Sequence, residues 1–112
     1  MNNNPLQILK QYFGYDAFRG KQEEIIKRIV EDKKHSLVLM PTGSGKSLCY
    51  QIPALCFHNS TIVISPLIAL MQDQVDVLRK KNISAAFINS TLSKQEREKR
   101  LEQFVDGKIK LL

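Results

Sequence analysis

Residues 40–47 read Met-Pro-Thr-Gly-Ser-Gly-Lys-Ser (MPTGSGKS) and lie between the apolar run Leu37-Val38-Leu39-Met40 and a helical stripe of Leu48, Cys49, Ile52, Leu55 and Cys56. The phosphate-loop pattern G-x-x-x-x-G-K-[ST] works because a strand delivers a tight turn to a helix N-terminus, where backbone N–H groups converge on one anion. This stretch meets the pattern except at its first position, where Met40 replaces glycine at a strand end whose side chain can pack into the core. Pro41, Thr42 and Ser44 complete the turn, and Gly43 and Gly45 stand where the backbone needs unusual dihedrals. A helix is expected from about Lys46, with Lys46 reaching the outer phosphates of a nucleotide and the Ser47 hydroxyl ligating Mg²⁺. The bland alternative is a glycine-rich connection followed by an exposed lysine. Against it, a lysine at a helix start opposes the positive end of the helix dipole, so an anion is needed there to compensate.

Outward from the loop the chain alternates between two periodicities. Short apolar runs recur at Thr61-Ile62-Val63-Ile64, Ala85-Ala86-Phe87-Ile88 and Ile109-Lys110-Leu111-Leu112, mostly without polar alternation, as suits strands covered on both faces. Between the runs lie helical stripes, one of Ile25, Ile26, Ile29 and Val30 and another of Leu67, Leu70, Met71, Val75 and Leu78. Ser65 suits an N-cap and Pro66 a first helical position. Ser93-Lys94-Gln95-Glu96 has capping-box spacing and opens a helix that ends near Gly107 after Leu101, Phe104 and Val105. Strands alternating with helices of this length predict an α/β fold, a parallel sheet with flanking helices joined by right-handed crossovers. The last predicted strand, at residues 109–112, has no turn, cap or polar tail after it, so the chain is expected to be an incomplete domain cut inside a larger protein.

With 112 residues, 43% of them apolar, the chain is expected to build one core. Its net charge is +6, from 8 basic and 5 acidic groups in residues 1–58 and 9 and 6 in residues 59–112. The excess is even, which favours a polyanionic partner and a solvated surface about equally. No apolar run approaches the roughly 18 residues of a membrane span, and the N-terminus lacks the order of a signal peptide, so a cytoplasmic protein with no membrane contact is expected. Without export, the triplets at Asn59 and Asn89 carry no glycosylation meaning. Cys49 and Cys56, seven residues apart on one helix, are too far apart to bridge and are expected to be free thiols. His35 and His58 lack a second ligand at metal-site spacing.

Three collinear segments carry a family resemblance: FGYDAFRGKQEEII at 13–26, MPTGSGKSLCYQIPA at 40–54 and VISPLIALMQDQV at 63–75. Together they resemble the RecQ family of DNA helicases in superfamily 2, whose own loops open on methionine. The resemblance covers about residues 6–112 and implies a RecA-like P-loop NTPase fold. Residues 1–35 would be N-terminal helices with the adenine-recognition motif, and residues 36–112 the start of the ATP-binding domain. It implies that Gln22 holds the adenine edge, Arg19 lies near the nucleotide and Tyr15 stacks on the base. A glutamine amide offers one donor and one acceptor to adenine N7 and N6, whereas guanine would set acceptor against acceptor, so ATP should be preferred over GTP. Without the resemblance, Phe13, Tyr15 and Phe18 read as core aromatics and Gln22 as the start of a solvated helix.

The resemblance further implies that Ser65 and Pro66, at a helix start, and Asn89, Ser90 and Thr91, at a strand end, contact the backbone of single-stranded DNA. As plain structure, the first is a capped helix and the second a helix-entry turn. Family members also need a DEAH-like acidic box and a second RecA-like domain that supplies arginine fingers. No D-E-x-H occurs in the 112 residues, so the chain alone is expected to bind nucleotide weakly and not to unwind DNA. Movement 3′ to 5′ is implied by the family alone. A superfamily 2 RNA helicase and a P-loop small-molecule kinase remain the competing readings.

Overall fold

The computed structural model describes residues 4–39 and 45–112, so Met40, Pro41, Thr42, Gly43 and Ser44 of the loop lie outside the described residues. Two compact units form, Met1–His58 and Asn59–Leu112, where composition had suggested one core. Each unit buries its own apolar side chains, from Ile8 to Cys56 in the first and from Val75 to Leu111 in the second.

In the first unit, α1 (Pro5–Ile8) starts with Pro5 at a first-turn position and Asn4 as its cap, whose side-chain oxygen accepts from the N–H groups of Leu6 and Gln7. The chain continues as a π-helical turn over Leu9–Phe13 and stops at Gly14, whose φ of 75° ends it. Next come α2 (Gln22–Val30) and α3 (Leu48–Cys56), the latter with Pro53 inside it. Ile8, Leu9, Ile26, Ile52 and Cys56 are buried together, and Tyr12, Phe13, Phe18, Val30, Leu48 and Leu55 pack against them. Phe13 and Phe18 are thus core aromatics, as plain packing had suggested, and only Tyr15 of the three stands out, 58% exposed. This cluster fixes the start of α2 near the start of α3.

In the second unit, α4 (Ile68–Lys80) and α5 (Lys94–Val105) flank short extended segments. Residues 109–112 lie between two of these: Thr61 and Ala85 both pair with Leu111 in parallel orientation. Around these bridges, Thr61 N–H donates to Lys110 C=O, Leu112 N–H to Thr61 C=O, Val63 N–H to Leu112 C=O and Ala86 N–H to Leu111 C=O. The parallel direction predicted from sequence is present at these bridges, but no continuous strand forms among the described residues. Leu37 and Leu39, expected in the first strand, are 91% and 89% exposed. Those side chains match a strand covered on both faces and find no cover within their unit.

Three helix expectations are corrected. The helix after Ser65 begins at Ile68 with Leu67 as its uncapped N-cap, so Pro66 is not its first residue. Ser65 Oγ instead accepts from Leu67 N–H at 3.2 Å, and the extended φ and ψ of Leu67 delay the helix. Ser93 does cap α5, accepting from Glu96 N–H at 3.1 Å, but Glu96 turns to Arg100 at 3.0 Å instead of closing the box. The apolar residues of α5 do not form a buried face; Val105 is 83% exposed. In α4 only Val75 and Leu78 are buried. Cys49 and Cys56 are buried and form no disulfide, and no helix among the described residues is long and apolar enough to cross a membrane.

Candidate nucleotide site and nucleic-acid contacts

The site is built from the entry to α2 and the entry to α3. Arg19 and Gln22 close a reciprocal turn: Gln22 N–H donates to Arg19 C=O at 3.1 Å, and Arg19 N–H donates to Gln22 Oε1 at 2.8 Å. The spacing R-x-x-Q therefore has a local purpose, because a side-chain amide three residues on satisfies a donor that the helix start would leave open. From this anchored position Gln22 Nε2 donates to Gly45 C=O at 3.1 Å, across 23 residues of sequence. Gln22 is 2% exposed, one of only two buried polar residues among those described. Its two bonds use one donor and one acceptor, and a glutamine amide holds a second of each.

Gly45 has φ 80°, in the left-handed region that an L side chain avoids. A Cβ added there would collide with Gln22 Nε2 and reach Arg19 Nη2 at 3.5 Å. Glycine is thus required twice, by dihedral and by the approach of the Gln22 amide. The Gly45 carbonyl also accepts from Leu48 N–H at 3.3 Å, and Lys46 C=O from Cys49 N–H at 3.0 Å, so residues 45–47 form a tight turn into α3. Helix geometry begins at Leu48, two residues after the predicted start, with Ser47 as an N-cap in helical conformation that makes no side-chain cap bond.

Lys46 is exposed and Ser47 half-buried. The N–H groups of Lys46 and Ser47 make no hydrogen bond among the described residues. Two open donors, an ammonium and the start of a helix form a set that suits an anion, so the residues present fit a nucleotide phosphate. Just inside the helix, burial pushes the Tyr50 phenol above its ordinary range, partly opposed by hydrogen bonds with the side chains of Ser47 and Gln51. That bond ties the Ser47 hydroxyl to the helix it precedes. Burial likewise raises the Cys49 thiol.

Of the residues expected to meet the nucleotide, the structure brings Arg19, Gln22 and Gly45 into contact, with Lys46 and Ser47 adjoining. The polar couple between Gln22 and Gly45 was not read from sequence; the only available signal was the paired occurrence of R-x-x-Q and G-K-S.

The DNA-facing candidates all lie in the second unit. Asn89 Oδ1 accepts from the N–H and the hydroxyl of Thr91, the first at 2.9 Å, while Asn89 Nδ2 reaches Met71 Sδ at 3.9 Å. The Asn89 side chain thus shapes the turn leading to α5 and ties it to α4, leaving Ser90 and Thr91 exposed. Ser65, half-buried, and Pro66, exposed, precede the same helix.

Residues 19–112 match the family described as DEAD/DEAH box helicase, and the chain belongs to that family. Its relatives include proteins named ATP-dependent DNA helicase RecQ: one from Bacillus subtilis is 54% identical over 104 residues, 93% of this chain and 18% of that protein. Another, from Haemophilus influenzae, is 50% identical over 107 residues, 96% of this chain and 17% of its own length. A third, from Pasteurella multocida, is 48% identical over all 112 residues and 18% of that protein. The RecQ resemblance carried by the three segments is borne out, and the family implies a RecA-like P-loop fold. The chain spans under a fifth of the length of these relatives.

Proposed function

We propose that the chain is the nucleotide-gripping start of a RecQ-type, ATP-dependent DNA helicase that moves 3′ to 5′. The observation that carries this reading is the bond from the buried Gln22 amide to the Gly45 carbonyl, one residue before Lys46. It joins the segment expected to read the base to the loop expected to hold the phosphates. Domain limits follow the same reading, with residues 1–35 presenting the base-recognition segment and 36–112 opening the ATP-binding domain. The parallel bridges of Thr61 and Ala85 to Leu111 support the parallel sheet expected from the sequence.

In the proposed mechanism, Lys46 and the N–H groups of residues 43–47, with Met40, Pro41, Thr42 and Ser44 shaping the turn, hold the triphosphate. Ser47 is the proposed ligand of Mg²⁺, which when bound neutralises charge on the outer phosphates. Tyr15 stacks on the base from its exposed position, Arg19 lies alongside, and the second donor and acceptor of Gln22 read adenine. Ser65, Pro66, Asn89, Ser90 and Thr91 hold the phosphates of single-stranded DNA. A second RecA-like domain and an acidic box complete hydrolysis in the full-length protein.

The names of the relatives favour DNA over RNA as the strand and a helicase over a kinase. A strand-displacement assay on matched DNA and RNA duplexes, using the full-length protein that carries this chain, tests the proposal. ATP-dependent opening of the DNA duplex, lost in Lys46→Ala, is expected. Opening of RNA alone, or unchanged opening of DNA in Lys46→Ala, overturns it.

A further inference from the structure

The second unit holds a cavity of about 310 Å³ that the helicase reading does not use. Its wall includes Arg79 from the end of α4, Lys99 and Arg100 from α5, and Lys108 from the turn after α5. Glu96 is the one carboxylate among its lining residues. The cavity opens where the Ala85–Ile88 run begins, beside Ser84, about 13 Å of extended chain before the Asn89 turn where DNA contact is proposed.

The charges are not equally available. Arg100 is committed: its Nε pairs with Glu96 at 3.0 Å, its Nη1 donates to Phe87 C=O at 2.7 Å, and its guanidinium lies 4.7 Å over the Phe87 ring. Glu96 is thereby neutralised. Arg79 is fixed by one bond, Nε to Ala85 C=O at 2.9 Å, and its terminal nitrogens have no other partner among the described residues. The ammonium groups of Lys99 and Lys108 also make no ion pair or hydrogen bond among the described residues. Three residues with cationic side chains, Arg79, Lys99 and Lys108, thus line one concavity whose one carboxylate is already paired.

We propose that this cavity binds a small multivalent phosphate anion of diphosphate size, at a site separate from the nucleotide loop. A monocarboxylate would leave two of the three cations unpaired, whereas a diphosphate carries the charge to meet them all. The volume stands at the lower end of small-ligand sites, which run from roughly 300 to 1,000 Å³, and exceeds what a lone phosphate fills. The guanidinium of Arg79, held by its Nε, presents its remaining fork to phosphate oxygens with little ordering left to do.

Pyrophosphate titrated into the full chain carrying Lys46→Ala, followed by amide chemical shifts, tests the site without the loop lysine. Saturable shifts at Ser84, Ala86, Lys99 and Lys108 are expected. At about 4 Å in water a charge pair is worth about 1 kcal/mol, so each lysine contributes about five-fold in affinity. Lys99→Gln and Lys108→Gln together should weaken binding about 25-fold; both side chains are exposed and outside the core, so folding is not at stake. Glu96→Gln should tighten binding, opposite in sign. Absent shifts, shifts confined to Gly45–Ser47, or affinity unchanged by the lysine pair overturns the proposal. Full displacement of pyrophosphate by a single-stranded oligonucleotide of lower apparent Kd also overturns it, in favour of a nucleic-acid track.

Discussion

Replacing Gly45 by alanine should couple energetically to replacing Gln22. In Gly45→Ala the φ of 80° costs an L residue about 1–2 kcal/mol. The new methyl also displaces the Gln22 amide from its bond to the Gly45 carbonyl, and a buried donor left unpaired costs about 1–3 kcal/mol. A loss of about 3 kcal/mol is expected from the two effects. Gln22→Ala removes a fully buried side chain and both of its bonds, for a similar loss of about 3 kcal/mol. The double variant should lose about 4.5 kcal/mol and not 6, because the shortened side chain no longer meets the methyl and the same bond cannot be lost twice. The remaining neighbour, Arg19 Nη2 at 3.5 Å, is at ordinary contact distance. Urea unfolding followed by far-ultraviolet circular dichroism gives the three values. A coupling of about 1.5 kcal/mol is expected; additivity within about 0.5 kcal/mol would refute the claim that the loop and the R-x-x-Q turn form one unit.

Ile52→Ala, at a side chain with 0% exposure in the first core, should cost about 2–5 kcal/mol in the same assay. Ser93→Ala should cost about 1 kcal/mol through loss of the α5 cap, whereas Ser93→Asp should hold stability near the parent value. In the full-length protein Lys46→Ala should reduce ATP turnover to background while most DNA affinity survives, as read by filter binding beside a phosphate-release assay. The Cys49 thiol, raised by burial above its ordinary 9.0, binds its proton more firmly folded than unfolded. Its contribution is therefore full below about pH 9 and lost as pH rises through the folded value, so stability should decline faster above pH 9 in the parent than in Cys49→Ala.

The turn at residues 45–47 into α3 was legible because its signal is local: a glycine, a lysine and a serine directly before an apolar stripe. Helices α2 to α5 were legible for the same reason, since a 3.6-residue period shows in any window of ten. The Ser93 cap was read correctly because only one acceptor and one N–H are involved. Ser65 misled because an identical side chain can close a two-residue turn as readily as it caps a helix, and the conformation of Leu67 decides between them. Glu96 misled because Arg100, four residues on, offers a charged partner in place of a backbone amide. Gln22 was singled out only through resemblance. Its burial and its bond to Gly45 depend on α2 and α3 being packed by Ile26, Ile52 and their neighbours, which no local pattern encodes.

The Gln22 amide is proposed to read adenine together with a phosphate-holding turn at residues 45–47. Titration of the full chain with Mg·ATP and Mg·GTP, followed by backbone and side-chain amide shifts, tests it directly. Mg·ATP should move the amides of Gly45, Lys46 and Ser47 together with the side-chain amide of Gln22, and Mg·GTP should bind more weakly with Gln22 unmoved. Equal responses to both nucleotides, or shifts that never reach residues 45–47, contradict it.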